Sequence, residues 1–171
     1  MDSVALQAID VLVAAKVAAH PQAQPSIRTL GDELGMSKSA VGYSLQRLRE
    51  LGLIGEAYGK RHINKLAFRD CLEHAVRWIA PAKIGDYELG LPTAHVADVL
   101  AEKFVGDDDP VVMPLPHGPV RGRAVTPLHP LAPQAAARDG KLHDLLALID
   151  AFRVGSARDR QVAAVELRAR L

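Results

Sequence analysis

One cysteine, Cys71, in 171 residues leaves no room for an internal disulfide or a cysteine-rich zinc site. A lone thiol suits a reducing compartment and is expected to be buried and structural. No apolar run reaches the ~18 residues that span a bilayer, and the N-terminus lacks the basic stretch, apolar stretch and cleavage site of a secretory signal. The expected setting is therefore cytoplasmic, with no membrane partner. Catalytic patterns are missing as well, with neither a Ser/His/Asp set nor paired carboxylates in evidence. The glycine-flanked segments Gly85 to Gly90 and Gly118 to Arg123 lack the spacing of phosphate-binding loops and read as turns. Consecutive carboxylates at Asp107, Asp108 and Asp109 point in different directions, and the pairs Cys71/His74 and His95/Asp98 each supply two ligands where a metal needs more. The expectation is a protein that is not an enzyme and has no cofactor or metal.

A hydrophobic content of 49% with 24% charged residues belongs to a folded chain, and the net charge of +1 gives no general attraction to polyanions. The charge is unevenly spread. Between Lys38 and Lys65 six Lys and Arg face two acids, whereas from Ala67 onward thirteen basic residues face fourteen acidic ones. Contact with phosphate is therefore expected only in the N-terminal part.

That part contains the most informative segment, Pro25 to Ile54. Ile27, Leu30 and Leu34 recur at helical steps, Gly35 suits a left-handed helix end, and Ser37 can cap the next helix. Val41, Leu45, Leu48 and Leu51 form a second apolar stripe, which leaves Lys38, Ser39, Gly42, Tyr43, Gln46 and Arg47 outside. Ile54 to Tyr58 and His62 to Leu66 read as short strands around Gly59-Lys60. A further helix from about Val4 to Ala19, capped by Asp2 or Ser3, turns Leu6, Ile9, Val13 and Val17 inward.

The order helix, helix, helix, hairpin resembles the winged helix-turn-helix regulators of the MarR, ArsR and IclR type over about the first 66 residues, most specifically from Met36 to Ile54. The resemblance implies binding to double-stranded DNA. It places Ser37, Lys38 and Ser39 at the groove-facing start of a recognition helix, Gly42, Tyr43, Gln46 and Arg47 along its exposed face, and Lys60, Arg61 and His62 in the wing. Gln46 suits adenine, Arg47 guanine or phosphate, and Tyr43 a thymine methyl or phosphate.

Downstream, Phe68 to Ile79 has helical periodicity, Thr93 can cap a helix from Ala94 to Phe104, and two helices close the chain, from Lys141 to Arg153 and from Ala157 to Leu171 with Ser156 as cap. Seven prolines from Pro110 to Pro133 exclude a long helix there and predict an ordered, extended connector. Within it, Arg121 and Arg123 alternate with apolar residues as on a strand with one wet face. The expected fold class is mainly α with a small β-hairpin wing: a winged helix-turn-helix over 1–66, then a helical region over 67–171 for dimerisation, regulation or partner binding. The expected function is a dimeric, sequence-specific transcriptional repressor, the homodimer using the first helix and the two C-terminal ones. Two alternatives stand beside it, an antitoxin-like interaction protein that binds a partner enzyme through the C-terminal region, and a small-molecule sensor.

Overall fold

The computed structural model describes residues 4–104 and 109–171. The expected caps Asp2 and Ser3, and Asp107 and Asp108 of the acidic run, lie outside the described residues. Helix α1 runs from Ala8 to Ala19 and is buried from Asp10 to Ala18. The inward stripe expected from Leu6 and Ile9 is too narrow, because both are only half-buried while Val11 and Leu12 are fully buried. The reason is that α1 is covered from several sides, packing against helix α3, strand β2 and helix α8 defined below. Its alanines and valines allow that close approach.

Helix α2 (Ile27–Leu34) is capped by Ser26, whose hydroxyl accepts the Thr29 N–H at 3.0 Å, and ends at left-handed Gly35 with φ of 72°. Ser37 accepts the Ala40 N–H at 3.1 Å and so starts α3 (Lys38–Glu50). Val41, Leu45 and Leu48 are buried as the stripe predicts, while Leu51 is 37% exposed. The hairpin consists of β1 (Ile54–Ala57) and β2 (Lys60–Ile63), paired antiparallel with Ala57 opposite Lys60. Its two-residue turn is Tyr58-Gly59, one position before the expected one, and both residues have positive φ, 53° and 70°. Such a turn matches the natural twist of the strands. β2 stops at Ile63 because Asn64 caps α4 (Lys65–His74), accepting the Ala67 N–H at 3.2 Å. The expected single helix through Ile79 breaks at Ala75 into α4 and α5 (Val76–Ile79), so that α4 reaches helix α9 while α5 packs on α8.

The second sheet is a correction to the mainly α expectation. β3 (Ile84–Pro92) pairs antiparallel with both β4 (Val111–Pro114) and β5 (Val120–Val125), and β4 pairs parallel with β5, closing a three-stranded ring. The turn expected at Gly85 to Gly90 is thus part of a strand. A Cβ at Gly90 would run into the Met113 carbonyl, so glycine lets the strands cross closely there. The segment 111–133 is not an extended connector, since its prolines fall where ladders and helices tolerate them. Pro114 ends β4, Pro119 precedes β5, and Pro133 lies in the first turn of α7 (Ala132–Arg138), where no N–H is required. The helix expected over 94–104 shrinks to a 3-10 turn (Ala94–Val96) and α6 (Asp98–Ala101), separated by extended Ala97, and the Thr93 hydroxyl donates to buried Asp150 at 2.7 Å instead of capping. The closing helices match expectation. α8 (Gly140–Val154) is capped by Asp139, and α9 (Ala157–Arg170) by a reciprocal Ser156/Asp159 box.

Nine α-helices among the described residues and two small sheets make a mixed α/β fold. One cluster of buried side chains runs from Val11 to Leu167, with Phe68 and Phe152 the largest, and includes residues from both sides of Leu66. Cys71 borders this cluster, and burial pushes its thiol up to about 11, which leaves no appreciable thiolate at neutral pH.

An ionic cluster ties three helices together. Lys16 of α1 lies 2.6 Å from Asp139 and 2.9 Å from Glu33 of α2, and His20 Nε2 lies 2.7 Å from the same Asp139 oxygen. Burial would raise the Asp139 carboxyl, but hydrogen bonds from Lys16, His20 and the Leu142 N–H outweigh it and hold the group at about 2. A carboxylate depressed on folding contributes stability above its unfolded value near 3.9, and that stability is lost as pH falls toward 2. Stability measured by urea unfolding should therefore fall by about 1 to 2 kcal/mol from this group between pH 5 and pH 2, once solvent screening of the half-buried carboxylate is allowed for. Asp139→Asn should flatten that limb and lower stability at pH 7; an unchanged acid limb would show that Asp139 is not held by these partners.

Candidate nucleic-acid interface

The candidate surface is the outer side of α3 and the adjoining hairpin. Ser37 spends its oxygen on the α3 cap and keeps its O–H exposed. Lys38 and Ser39 are exposed, and Lys38 has no ion-pair partner among the described residues. Gly42 leaves an open gap, since a Cβ there would meet nothing within 4 Å. Tyr43 beside it is 65% exposed. Gln46 is exposed and donates from Nε2 to Glu50 Oε1 at 2.9 Å, one helical turn on. These five positions from Lys38 to Gln46 share the side of α3 left free by the buried Val41, Ser44, Leu45 and Leu48.

Arg47 departs from the expected exposed face. Its guanidinium folds back onto fully buried Asp10, with Nε at 3.0 Å from Oδ2 and Nη2 at 2.7 Å from Oδ1. The Asp10 carboxylate also accepts the Gln7 N–H at 2.9 Å, so one buried acid starts α1 and fixes α3 against it. The hydrogen bonds that Arg47 donates to Asp10 outweigh the cost of burial and raise the Arg47 pKa further. The sequence carried half of the signal, an aspartate inside the apolar run Ile9 to Val13 that has to find a partner once buried, but nothing that named Arg47 as that partner.

Arg61 is also withdrawn. Its N–H donates to Gln24 Oε1 at 2.8 Å, its carbonyl accepts from Gln24 Nε2 at 2.7 Å, and Nη1 donates to the Pro25 carbonyl at 3.2 Å. Burial, and next the nearby charge of Arg49, lower its pKa. The result is a clamp between the hairpin and the loop before α2. Lys60 is exposed, and His62 is exposed with its ring over Gly55, where a Cβ would approach it to 2.7 Å. Two residues were missed. Tyr58 projects fully into solvent at the hairpin tip, because the turn falls one residue earlier than the spacing suggests. Arg49 is 46% exposed and only loosely paired with Glu56 at 4.0 Å.

The surface thus offers exposed cations at Lys38 and Lys60, hydrogen-bonding groups at Ser39 and Gln46, and aromatic rings at Tyr43 and Tyr58. Such a set suits phosphate and base-edge contact. Other polar candidates are dispersed or engaged. His143 contacts the Pro92 carbonyl at 2.7 Å, His95 packs edge-on against Phe104, and Arg123 lies 3.7 Å from Asp109. Asp150 and Arg153 form a buried pair at 2.7 Å, and Arg153 also donates to the Ala80 carbonyl. No group of three or more metal-ligating side chains gathers among the described residues. Compared with known protein families, with curated proteins and with solved structures, the chain matches none.

Removing Arg47 would leave the Asp10 carboxylate buried and unpaired. Arg47→Ala should cost about 3 to 5 kcal/mol in urea unfolding, and the double variant Asp10→Asn/Arg47→Met should recover part of that loss. A single variant within about 0.5 kcal/mol of the parent would mean that the pair does not hold α3.

Proposed function

We propose that the protein is a sequence-specific DNA-binding transcriptional regulator in which α1, α2, α3 and the β1–β2 hairpin act as a winged helix-turn-helix. The observation that carries this reading is the outer face of α3, a capped, well-supported helix whose free side presents Lys38, Ser39, Gly42, Tyr43 and Gln46 next to an exposed hairpin. Lys38 and Lys60 neutralise phosphates, Gln46 exchanges Glu50 for a base edge, and the gap at Gly42 lets the helix approach the groove floor. Arg47 and Arg61 act behind this surface, holding the helix and the hairpin in place.

Two copies on an inverted repeat would supply the footprint that one copy lacks. With α1 buried inside its own chain, the dimer surface would come from elsewhere, α9 with Val165 63% exposed being one face available. The second reading, an interaction protein of the antitoxin type, is favoured by Trp78, 74% exposed on α5 with the Arg77 guanidinium 4.9 Å from its ring centre. An exposed tryptophan beside arginine is a common anchor in protein interfaces.

Selection of binding sites from a random duplex pool, followed by gel shift at several salt concentrations, tests the first reading. Gln46→Ala should cost about 1 to 3 kcal/mol on the selected site, and Lys60→Ala should weaken all duplexes alike and reduce the salt slope by about one unit. No enrichment from the pool, or wild-type binding by both variants, would refute it.

A further inference from the structure

Beneath the ionic cluster of α1, α2 and α8 lies a cavity of about 350 Å³, on the side of α2 where Glu33 meets Lys16. Its charged lining is Lys16, His20, Glu33, Arg138 and Asp139, and Ala23, Pro25 and Ala135 supply apolar wall. The volume is that of a small-molecule site. What such a site takes follows from the hydrogen-bonding capacity left after the internal bonds are made.

Asp139 already accepts three hydrogen bonds. One oxygen receives Lys16 and His20, at 2.6 and 2.7 Å, and the other receives the Leu142 N–H at 3.1 Å. Lys16 has three donors, of which Asp139 and Glu33 occupy two. Arg138 is exposed at the end of α7, and its side chain makes no hydrogen bond or ion pair with the described residues and offers a planar fork of donors suited to bidentate oxyanions. Glu33 is the competing acceptor, and with its side chain 46% exposed it is free to swing into solvent. Donors are therefore left over, and the apolar wall accommodates a short carbon skeleton.

We propose that this cavity is a binding site for a small organic oxyanion, a carboxylate or a phosphate monoester, gripped by the Arg138 guanidinium and the spare Lys16 N–H. The ligand displaces Glu33 from Lys16 and bridges the α1–α2 side of the cavity to the α7–α8 side. Any effect on DNA binding would pass through α2 to α3; that consequence rests on the DNA-binding reading, whereas the binding itself does not.

Isothermal titration calorimetry of the full chain without DNA tests the site, at constant ionic strength, with succinate, glycerol phosphate and the neutral analogue succinamide as probes. One of the two oxyanions should bind saturably, the stronger of them identifying the chemical class, and succinamide should not. Arg138→Ala should weaken binding about tenfold or more and Arg138→Lys less, as expected for loss of a charged hydrogen-bonding partner. Glu33→Gln, which removes the competing carboxylate, should tighten it. Both positions are exposed enough for the variants to fold, which circular dichroism checks. Absence of saturable binding by either oxyanion, equal binding of succinamide, or unaltered affinity in Arg138→Ala would overturn the proposal.

Discussion

Helix α1 is an apolar rod with a charge near each end, and burying it is possible only because Asp10 and Lys16 both find partners. Asp10 takes Arg47 from α3, and Lys16 takes Glu33 from α2 and Asp139 from the start of α8. Unpaired, either charge would cost several kcal/mol in a low-dielectric interior. These pairs therefore select one arrangement of helices around α1. Nondirectional packing of alanine and valine would permit many rotations of the same rod, whereas the bidentate Arg47 contact and the shared Asp139 oxygen permit few.

That arrangement also decides which cations remain available. The basic patch counted along the chain between Lys38 and Lys65 includes Arg47 and Arg61, and folding assigns both to internal work. The proposed DNA surface is consequently less cationic and more dependent on hydrogen-bonding and aromatic groups. Electrostatic attraction would bring a duplex to Lys38 and Lys60, while discrimination would fall to Gln46, Ser39 and the tyrosines. Counting charges in sequence overstates an interface whenever a buried acid stands within reach.

The three-stranded ring places the proline-rich stretch at the heart of the C-terminal fold. Val111, Val112 and Met113 of β4 and Val125 of β5 enter the interior, and Thr93, next to β3, reaches buried Asp150. Apolar content that a free connector would have to expose is used here as core.

Local signals in the sequence were enough to set α2, α3, α8 and α9 and to announce the hairpin, though not its turn or the end of its second strand. Capping residues Ser37 and Ser156 act within one turn of backbone, Gly35 supplies its own left-handed geometry, and helical stripes need only one partner face; Ser26 and Asp139 cap α2 and α8 by the same local rule but were recognised only in the structure. The same locality makes Lys38, Tyr43, Gln46 and Lys60 legible as outward-facing positions from helix and hairpin spacing alone. The second sheet was not legible, because β3 meets β4 and β5 across twenty to forty positions in sequence, and its register depends on glycines that look like turns until another strand crosses them. Nor were the inward rotation of Arg47, the clamp on Arg61 or the cavity beside Lys16, each of which needs two distant segments brought to within 3 Å or so. The sequence alone determined where the backbone hydrogen bonds of α2, α3, α8 and α9 begin and end; tertiary structure decided the second sheet and which charges are consumed in the interior, since desolvation acts on a group only once the rest of the chain has closed around it.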